Sequence, residues 1–389
     1  MAVSFENTEV AFAHKSNYDL KKAYWLFKLV GNPFLVKFGK ISVSIALKLG
    51  LPIGWAMRKN IFAQFCGGET IAECANTTKI LDGLGVGTIL DYSVEGKESE
   101  GEFDHTADEI FATIQTAKGN ANIPFCVFKV TGIARHALLE KVNLGSSLSA
   151  QEKDEFELVK NRVNRLCKAA FEANTPIFID AEESWIQDAI DQLAEDMMAL
   201  YNTNRAIVYN TAQLYRHDRL SYIEAAHERA SNGGYYFGVK LVRGAYMEKE
   251  RNRADEMGYT SPIQATKEDT DRDFNAALVY CISNIDRIAI CAGTHNEESS
   301  ALLTRLINEK GIDHQDPRVY AAQLFGMSDH LSFNLSHSGY RVAKYVPYGP
   351  IREVIPYLIR RAEENTSVKG QTGRELGLII KELKRRKVA

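Results

Sequence analysis

The 389-residue sequence predicts an α/β fold: a (β/α)8 TIM-like barrel with an N-terminal helical extension. Three observations predict it. Short β-branched, apolar runs recur eight times along the chain. They are apolar almost continuously rather than in alternation, as strands buried on both faces of a parallel sheet are. The segments between most of them carry apolar residues every three or four positions beside Glu, Lys and Arg, as helices with one buried stripe do.

In chain order the runs are Gly87–Val94, Phe125–Thr131, Pro176–Asp180, Ala206–Asn210, Phe237–Arg243, Arg287–Gly293, Val319–Phe325 and Val342–Val346. Residues 151–173 and 185–200 show the helical stripe well. Residues 1–86 precede the first strand and read as a helical arm through LKKAYWLFKLV, LVKFGKISVSIALKL and TIAECANTTKILDGL; residues 87–389 hold the barrel and its C-terminal helices. The runner-up, an open doubly wound sheet, lacks a dinucleotide loop. Gly83, Gly85 and Gly87 precede a strand and have the wrong spacing for Gly-x-Gly-x-x-Gly.

Composition narrows the function. A net charge of -3 on 47 basic and 50 acidic residues leaves no footprint for a polyanion, so no nucleic-acid partner is expected. Six cysteines without a Cys-x-x-Cys pair read as reduced, buried thiols. With no Walker A loop, His-Glu-x-x-His or close His/Cys spacing, no metal is expected. No secretory signal is visible. The stretch 41–57 (ISVSIALKLGLPIGWAM) is broken by Lys48, Gly50 and Pro52, so it reads as core packing or, less favoured, a membrane-surface segment. The basic tail KELKRRKVA is read as a solvated terminus, with lipid contact as the alternative.

In such a barrel the carboxyl ends of the strands converge on one mouth, so polar groups ending apolar strands are candidates for chemistry. They are Asp91 and Glu95, Lys129 and Thr131, Asp180 and Glu182, Asn210 and Gln213, Lys240 and Arg243, Thr294, His295 and Asn296, Gln323, and Tyr345. Burying the Lys129 ammonium sacrifices its hydration, so it needs an anion: a structural Asp91 or Asp180, or a ligand. Gly244, just beyond Arg243, lets a ligand approach the backbone. His295 reads as a base, a cofactor ligand or a satisfied polar residue. Arg360 and Arg361, with Glu364 one turn later, read by themselves as an exposed helix face with i, i+3 or i+4 ion pairs.

YLIRRAEEN, with Tyr345 upstream in KYVPYG, resembles the signature of the proline dehydrogenases, and KVTG, FIDAEES, VYNTAQLY, VKLVRGAYMEKER, AGTHN and QLFGM resemble that family's barrel segments in order. The resemblance runs from about Asp91 to Asn365. It implies an FAD-dependent oxidoreductase that converts L-proline to Δ1-pyrroline-5-carboxylate by hydride transfer from C5 to flavin N5. This is the first step of proline catabolism, with electrons passed to a membrane quinone. It also implies that Arg360, Arg361 and Lys129 hold the carboxylate, that Tyr345 and Leu324 pack on the substrate ring, and that Asp180 supports the site. Asn210, Lys240, Val242, Gly244, Ala245, Thr294, His295 and Glu364 correspond to flavin contacts.

The chain departs from the bifunctional bacterial pattern where Asn210 replaces Gln, Lys240 replaces Arg and Met247 replaces Trp. With no second catalytic domain expected, a separate pyrroline-5-carboxylate/glutamate-semialdehyde dehydrogenase is the expected partner. The expected location is cytoplasmic or peripheral at the inner membrane, on the matrix side in a eukaryote. Two rivals stay open: a non-redox barrel enzyme, such as an aldolase or amidohydrolase, using Lys129 as a Schiff-base nucleophile or His295 as base, and a non-catalytic amino-acid-binding protein.

Overall fold

The eight apolar runs close on one another. The computed structural model describes residues 3–32, 34, 37, 39, 58–94, 96–367 and 371–388, at positions 30, 59, 60, 361–367, 371 and 372 for the backbone alone. The stretch 41–57 and Glu95 lie outside the described residues. The strands are β1 (Val86–Tyr92), β2 (Phe125–Lys129), β3 (Ile177–Asp180), β4 (Val208–Gln213), β5 (Phe237–Val242), β6 (Ile288–Gly293), β7 (Val319–Leu324) and β8 (Val342–Tyr348). Each pairs in parallel with the next and β8 returns to β1, giving a closed barrel in sequential order, as the sequence predicts.

Alternation sorts the side chains into two cores. Ile89, Phe125, Val127, Phe178, Tyr209, Ala289, Cys291, Tyr320, Ala322, Ala343 and Tyr345 cluster together inside the barrel. Their neighbours Leu90, Cys126, Ile177, Val208, Ile290 and Val346 belong to the larger core under the helices. Aromatic rings plug the interior: Phe125 stacks on Phe178 at 4.4 Å between centroids, and Tyr209 and Tyr320 meet Phe125 edge-on.

The helices begin where local chemistry satisfies their free N–H groups. Ser99 and Ser149 open the helices Glu100–Ala117 and Ala150–Glu172 with capping boxes closed by Glu102 and Glu152. The second buries Val159, Val163, Leu166, Cys167 and Ala170, the three-and-four spacing that predicts it. All six cysteines are free and buried.

The N-terminal arm does not stand apart from the C-terminus. Phe12, Leu20, Ala23 and Phe27 pack against Leu378, Ile379 and Leu383 in a satellite core between the helices Asn17–Val30 and Gln371–Arg385. The basic tail is therefore not simply solvated. Arg386 donates to the carbonyls of Phe12 and Lys15 at 2.8 and 2.7 Å and pairs with the buried Glu382 at 2.7 Å. These bonds commit one of its five cations to holding the arm, while Lys381, Lys384, Arg385 and Lys387 are exposed.

Candidate active site

The pleat delivers Asp91, Lys129, Asp180, Thr211, Gln213, Lys240, Val242, Gly293, Leu324 and Tyr345 to the inner side of the mouth. Each lies two or four residues beyond an inward-facing core residue, or continues that alternation. Lys240 stands at the centre, 4% exposed. Its Nζ donates to the Asp180 carboxylate and, at 2.6 Å, to the Tyr345 hydroxyl. The same ammonium lies 4.5 Å from the Tyr345 ring centroid and 5.2 Å from that of Phe178. Burial, with Asp180 close by, drives the Tyr345 hydroxyl well above the usual phenol range, so it stays protonated.

Lys129 pairs in register with Asp180 across β2 and β3. Its charge is felt at three groups: Asp91, Glu182 and Tyr246. Burial pushes the Asp91 carboxyl up, Lys129 and a 2.7 Å bond from Ser93 Oγ pull it down, and nearby Asp180 opposes a second negative charge. Burial also pushes the Glu182 carboxyl up to about 7, although Lys129, the Thr131 hydroxyl and the Thr131 N–H at 3.0 Å favour its charged form.

Tyr246 was not among the residues singled out from the sequence. Burial raises its hydroxyl, while the positive charges of Lys129 and Arg360 pull it back down. Lys129 ends β2, and Arg360 lies on the helix Ile351–Ser367 that follows β8. The available signal was its position two residues after Gly244, in the loop leaving β5.

The rim is cross-braced. Gln213 donates to the Glu182 carbonyl at 2.7 Å and accepts from the Ala245 N–H at 3.1 Å, tying the ends of β3, β4 and β5. Arg243 bonds Asp271, Thr294 and Ser299 at 2.7–2.9 Å, joining β5 to β6. Thr294 is buried in that brace, and His295 Nδ1 meets Ser328 Oγ at 2.8 Å. Gly244 has φ +141°, and a Cβ there would lie 2.6 Å from the Tyr215 ring, so only glycine fits the turn.

Gly293 keeps side-chain bulk away from Lys240: a Cβ there would come 3.0 Å from Val242 Cγ1 and 4.0 Å from Lys240 Cγ. A buried cation beside a glycine and a valine suits a planar ring system with an electron-rich edge.

One proposed cofactor contact is not brought to the mouth. Asn210 lies on the outer face of β4, where its amide donates to Asp191 and the Tyr222 hydroxyl, both at 2.8 Å. Asp191 in turn holds the buried Arg219 at 2.6 Å. The pleat explains this: Tyr209 and Thr211 point inward, so Asn210 must point outward. Arg361 and Glu364 fall on the helix Ile351–Ser367, but their side chains lie outside the described residues. Among the described residues, no group of His, Cys, Asp and Glu is arranged to hold a metal, and no helix is long and apolar enough to cross a membrane.

The sequence profile of the family described as proline dehydrogenase matches residues 74–374. The chain is 34% identical to "Proline dehydrogenase 1, mitochondrial" of Dictyostelium discoideum, over 98% of this chain and 74% of that one. It is 35% identical to "Carbapenem antibiotics biosynthesis protein CarD" of Pectobacterium carotovorum, over 83% and 84%, and 30% identical to "Hydroxyproline dehydrogenase" of Xenopus laevis, over 99% and 90%. Among solved structures, proline utilization A from Bdellovibrio bacteriovorus superposes with a TM-score of 0.72 at 18% identity, covering 94% of this chain and 37% of that one. That likeness shows the barrel fold.

Proposed function

We propose, since this chain belongs to the proline dehydrogenase family and is an oxidoreductase acting on proline, that it holds the substrate carboxylate between Lys129, Arg360 and Arg361 and sets the ring over Lys240 and Tyr345. The observation that supports this reading is the pair of cations at Asp180: Lys129 is in register with it across β2 and β3, and Lys240 donates to it from β5. Arginine forks suit a planar carboxylate, and a lysine adds a compact third charge.

The family is flavin-dependent, and FAD is the form we propose. Val242, Gly244, Ala245, Thr294 and His295 would hold it, with Lys240 beside its ring and Glu364 near its adenosine. When bound, the flavin supplies the acceptor for the hydride leaving proline C5. The protein's own part is orientation and electrostatics. Asp180 fixes the Lys240 ammonium, Lys240 and Tyr345 hold each other through a 2.6 Å bond, and Leu324 and Tyr345 give the methylenes an apolar wall. The product, Δ1-pyrroline-5-carboxylate, opens with water to glutamate semialdehyde, which a separate dehydrogenase oxidises. The electrons pass to a membrane quinone, with the protein peripheral at the cytoplasmic or matrix face of the inner membrane.

An absorbance spectrum before and after anaerobic addition of L-proline tests the reading. Flavin bands that bleach support it. A purified protein able to turn over substrate without flavin bands returns Lys129 to Schiff-base chemistry, and bands that do not bleach leave only a binding protein.

A further inference from the structure

The helix Asn17–Val30 is apolar on two opposite sides. Leu20, Ala23 and Phe27 are buried against the C-terminal helix, and Leu26 reaches the cluster of Tyr357 and Leu358 on the helix that carries Arg360. Tyr18, Trp25 and Leu29 are spaced by seven and four residues, so they fall on one line along the opposite side. They are 76%, 58% and 52% exposed. Three large side chains on one line in water form a surface that normally has an occupant.

Charge identifies the occupant. At 100° per residue Lys21 and Lys28 flank the stripe on one side and Lys22 on the other. The Lys28 ammonium lies 5.0 Å from the Trp25 ring centroid. The helix Asn17–Val30 contains three lysines and a single acidic residue, Asp19, giving a local charge of +2 in a chain whose total is -3. A second copy of the same face would set these charges against each other. Tyrosine and tryptophan at the centre, with lysines at the flanks, is the arrangement in which rings enter the acyl boundary and ammonium groups reach lipid phosphates.

We propose that this helix is a lipid-docking surface for an anionic bilayer, lying flat with Tyr18, Trp25 and Leu29 below the headgroups and Lys21 and Lys28 at their level. The helix packs against the one that carries Arg360, so docking brings the barrel mouth close to the bilayer. The proposal deepens the peripheral location given above. It does not depend on the proline chemistry.

The full-length flavin-loaded protein is mixed with phosphatidylcholine vesicles with or without phosphatidylglycerol, and its binding is read by sedimentation. Binding only to the anionic vesicles, weakened by salt, is expected. Trp25→Glu with Leu29→Glu should lower the partition coefficient by roughly a hundredfold, and Lys21→Glu with Lys28→Glu by about tenfold or more. In a Trp55→Phe, Trp185→Phe background the emission of Trp25 should shift to the blue on binding. Proline oxidation with a soluble dye should match the unaltered protein in every variant, which separates this surface from the active site. Absence of vesicle binding by the unaltered protein overturns the proposal, as does equal binding by the variants. It also falls if the apolar variants abolish self-association or capture of an acidic protein while vesicle binding is unchanged.

Discussion

Two buried lysines, Lys240 and Lys344, sit on opposite faces of the same barrel wall. Lys344 is fully buried on the outer face of β8, where it pairs with Asp329 at 3.0 Å and donates to the Met327 carbonyl at 2.7 Å. Lys15 at 3.4 Å and His14 at 3.6 Å close the far side of Asp329. Burial alone would raise the Asp329 carboxyl, but Lys344, Lys15 and His14 outweigh it and hold it well below the usual range. All its partners are internal, so this pair can only join the arm to the barrel. Lys240 has a similar aspartate partner, yet its side of the wall opens at the mouth and includes a tyrosine hydroxyl. Removing hydration from an ammonium is comparably unfavourable at both places. The difference lies in what else faces the charge, protein alone or space for a substrate.

Exchanging the two losses is the sharpest test. Lys344→Met should lower the unfolding free energy by about 3 kcal/mol, the low end for a broken buried pair because Lys15 still faces Asp329. Its kcat/KM for proline should stay near native. Lys240→Met should do the reverse: a smaller stability loss and roughly a hundredfold or greater fall in kcat/KM, with a changed flavin spectrum. Denaturant melts beside steady-state kinetics read both, and the comparison fails if the two variants trade these outcomes.

The carboxylate clamp extends the contrast to the loop side. Arg360→Met or Arg361→Met should weaken catalysis by ~2–5 kcal/mol, or roughly thirty- to several-thousand-fold in kcat/KM, while flavin stays bound. A near-native value would make that arginine an ordinary surface ion-pair residue.

Tyr345 tests the inner side more gently. Its hydroxyl oxygen accepts from Lys240 and its proton is turned to Asp180, so a 4-hydroxyl on the substrate ring finds no spare partner there. Proline should be preferred over 4-hydroxyproline by about ten- to two-hundredfold in kcat/KM, the effect of burying one unpaired hydroxyl at ~1–3 kcal/mol. Tyr345→Ser should narrow the gap and slow proline oxidation. Equal values for the two substrates in the native enzyme would place no selectivity at this residue.

The smallest expected effect is a pH dependence at Glu182. Its carboxyl is raised to about 7 in the folded protein, against an ordinary value of 4.5. The folded state therefore binds this proton more tightly than the unfolded one. The associated stability is fully present below about pH 4.5 and is lost as pH rises through about 7. Glu182→Gln should remove on the order of 2 kcal/mol of that decline. Melts from pH 4.5 to 8 that keep the native slope in the variant would assign it to other groups.

Much of the barrel was legible because buried parallel strands must be apolar throughout. That same uniformity hid the inward and outward faces. In Val342–Val346, Lys344 and Tyr345 are adjacent, and the apolar pattern does not say which one enters the barrel. Asn210 was misplaced for this reason: a polar residue ending an apolar strand was equally compatible with the mouth and with the Asp191–Arg219 network outside it. Tyr246 was missed because it lies in a loop, where no periodicity marks a side chain's direction.

By itself the sequence determined the order and number of strands, the helical stripes between them and the set of charged residues that end the strands, since these follow from local periodicity and the penalty for burying charge. Tertiary structure alone decided which charges meet. Closure of β8 onto β1, together with the pleat of each strand, selected Lys240 with Asp180 and Tyr345 inside and Lys344 with Asp329 outside. These partners lie 15 to 105 residues apart in the chain, and no local pattern encodes a contact that exists only after the barrel has closed.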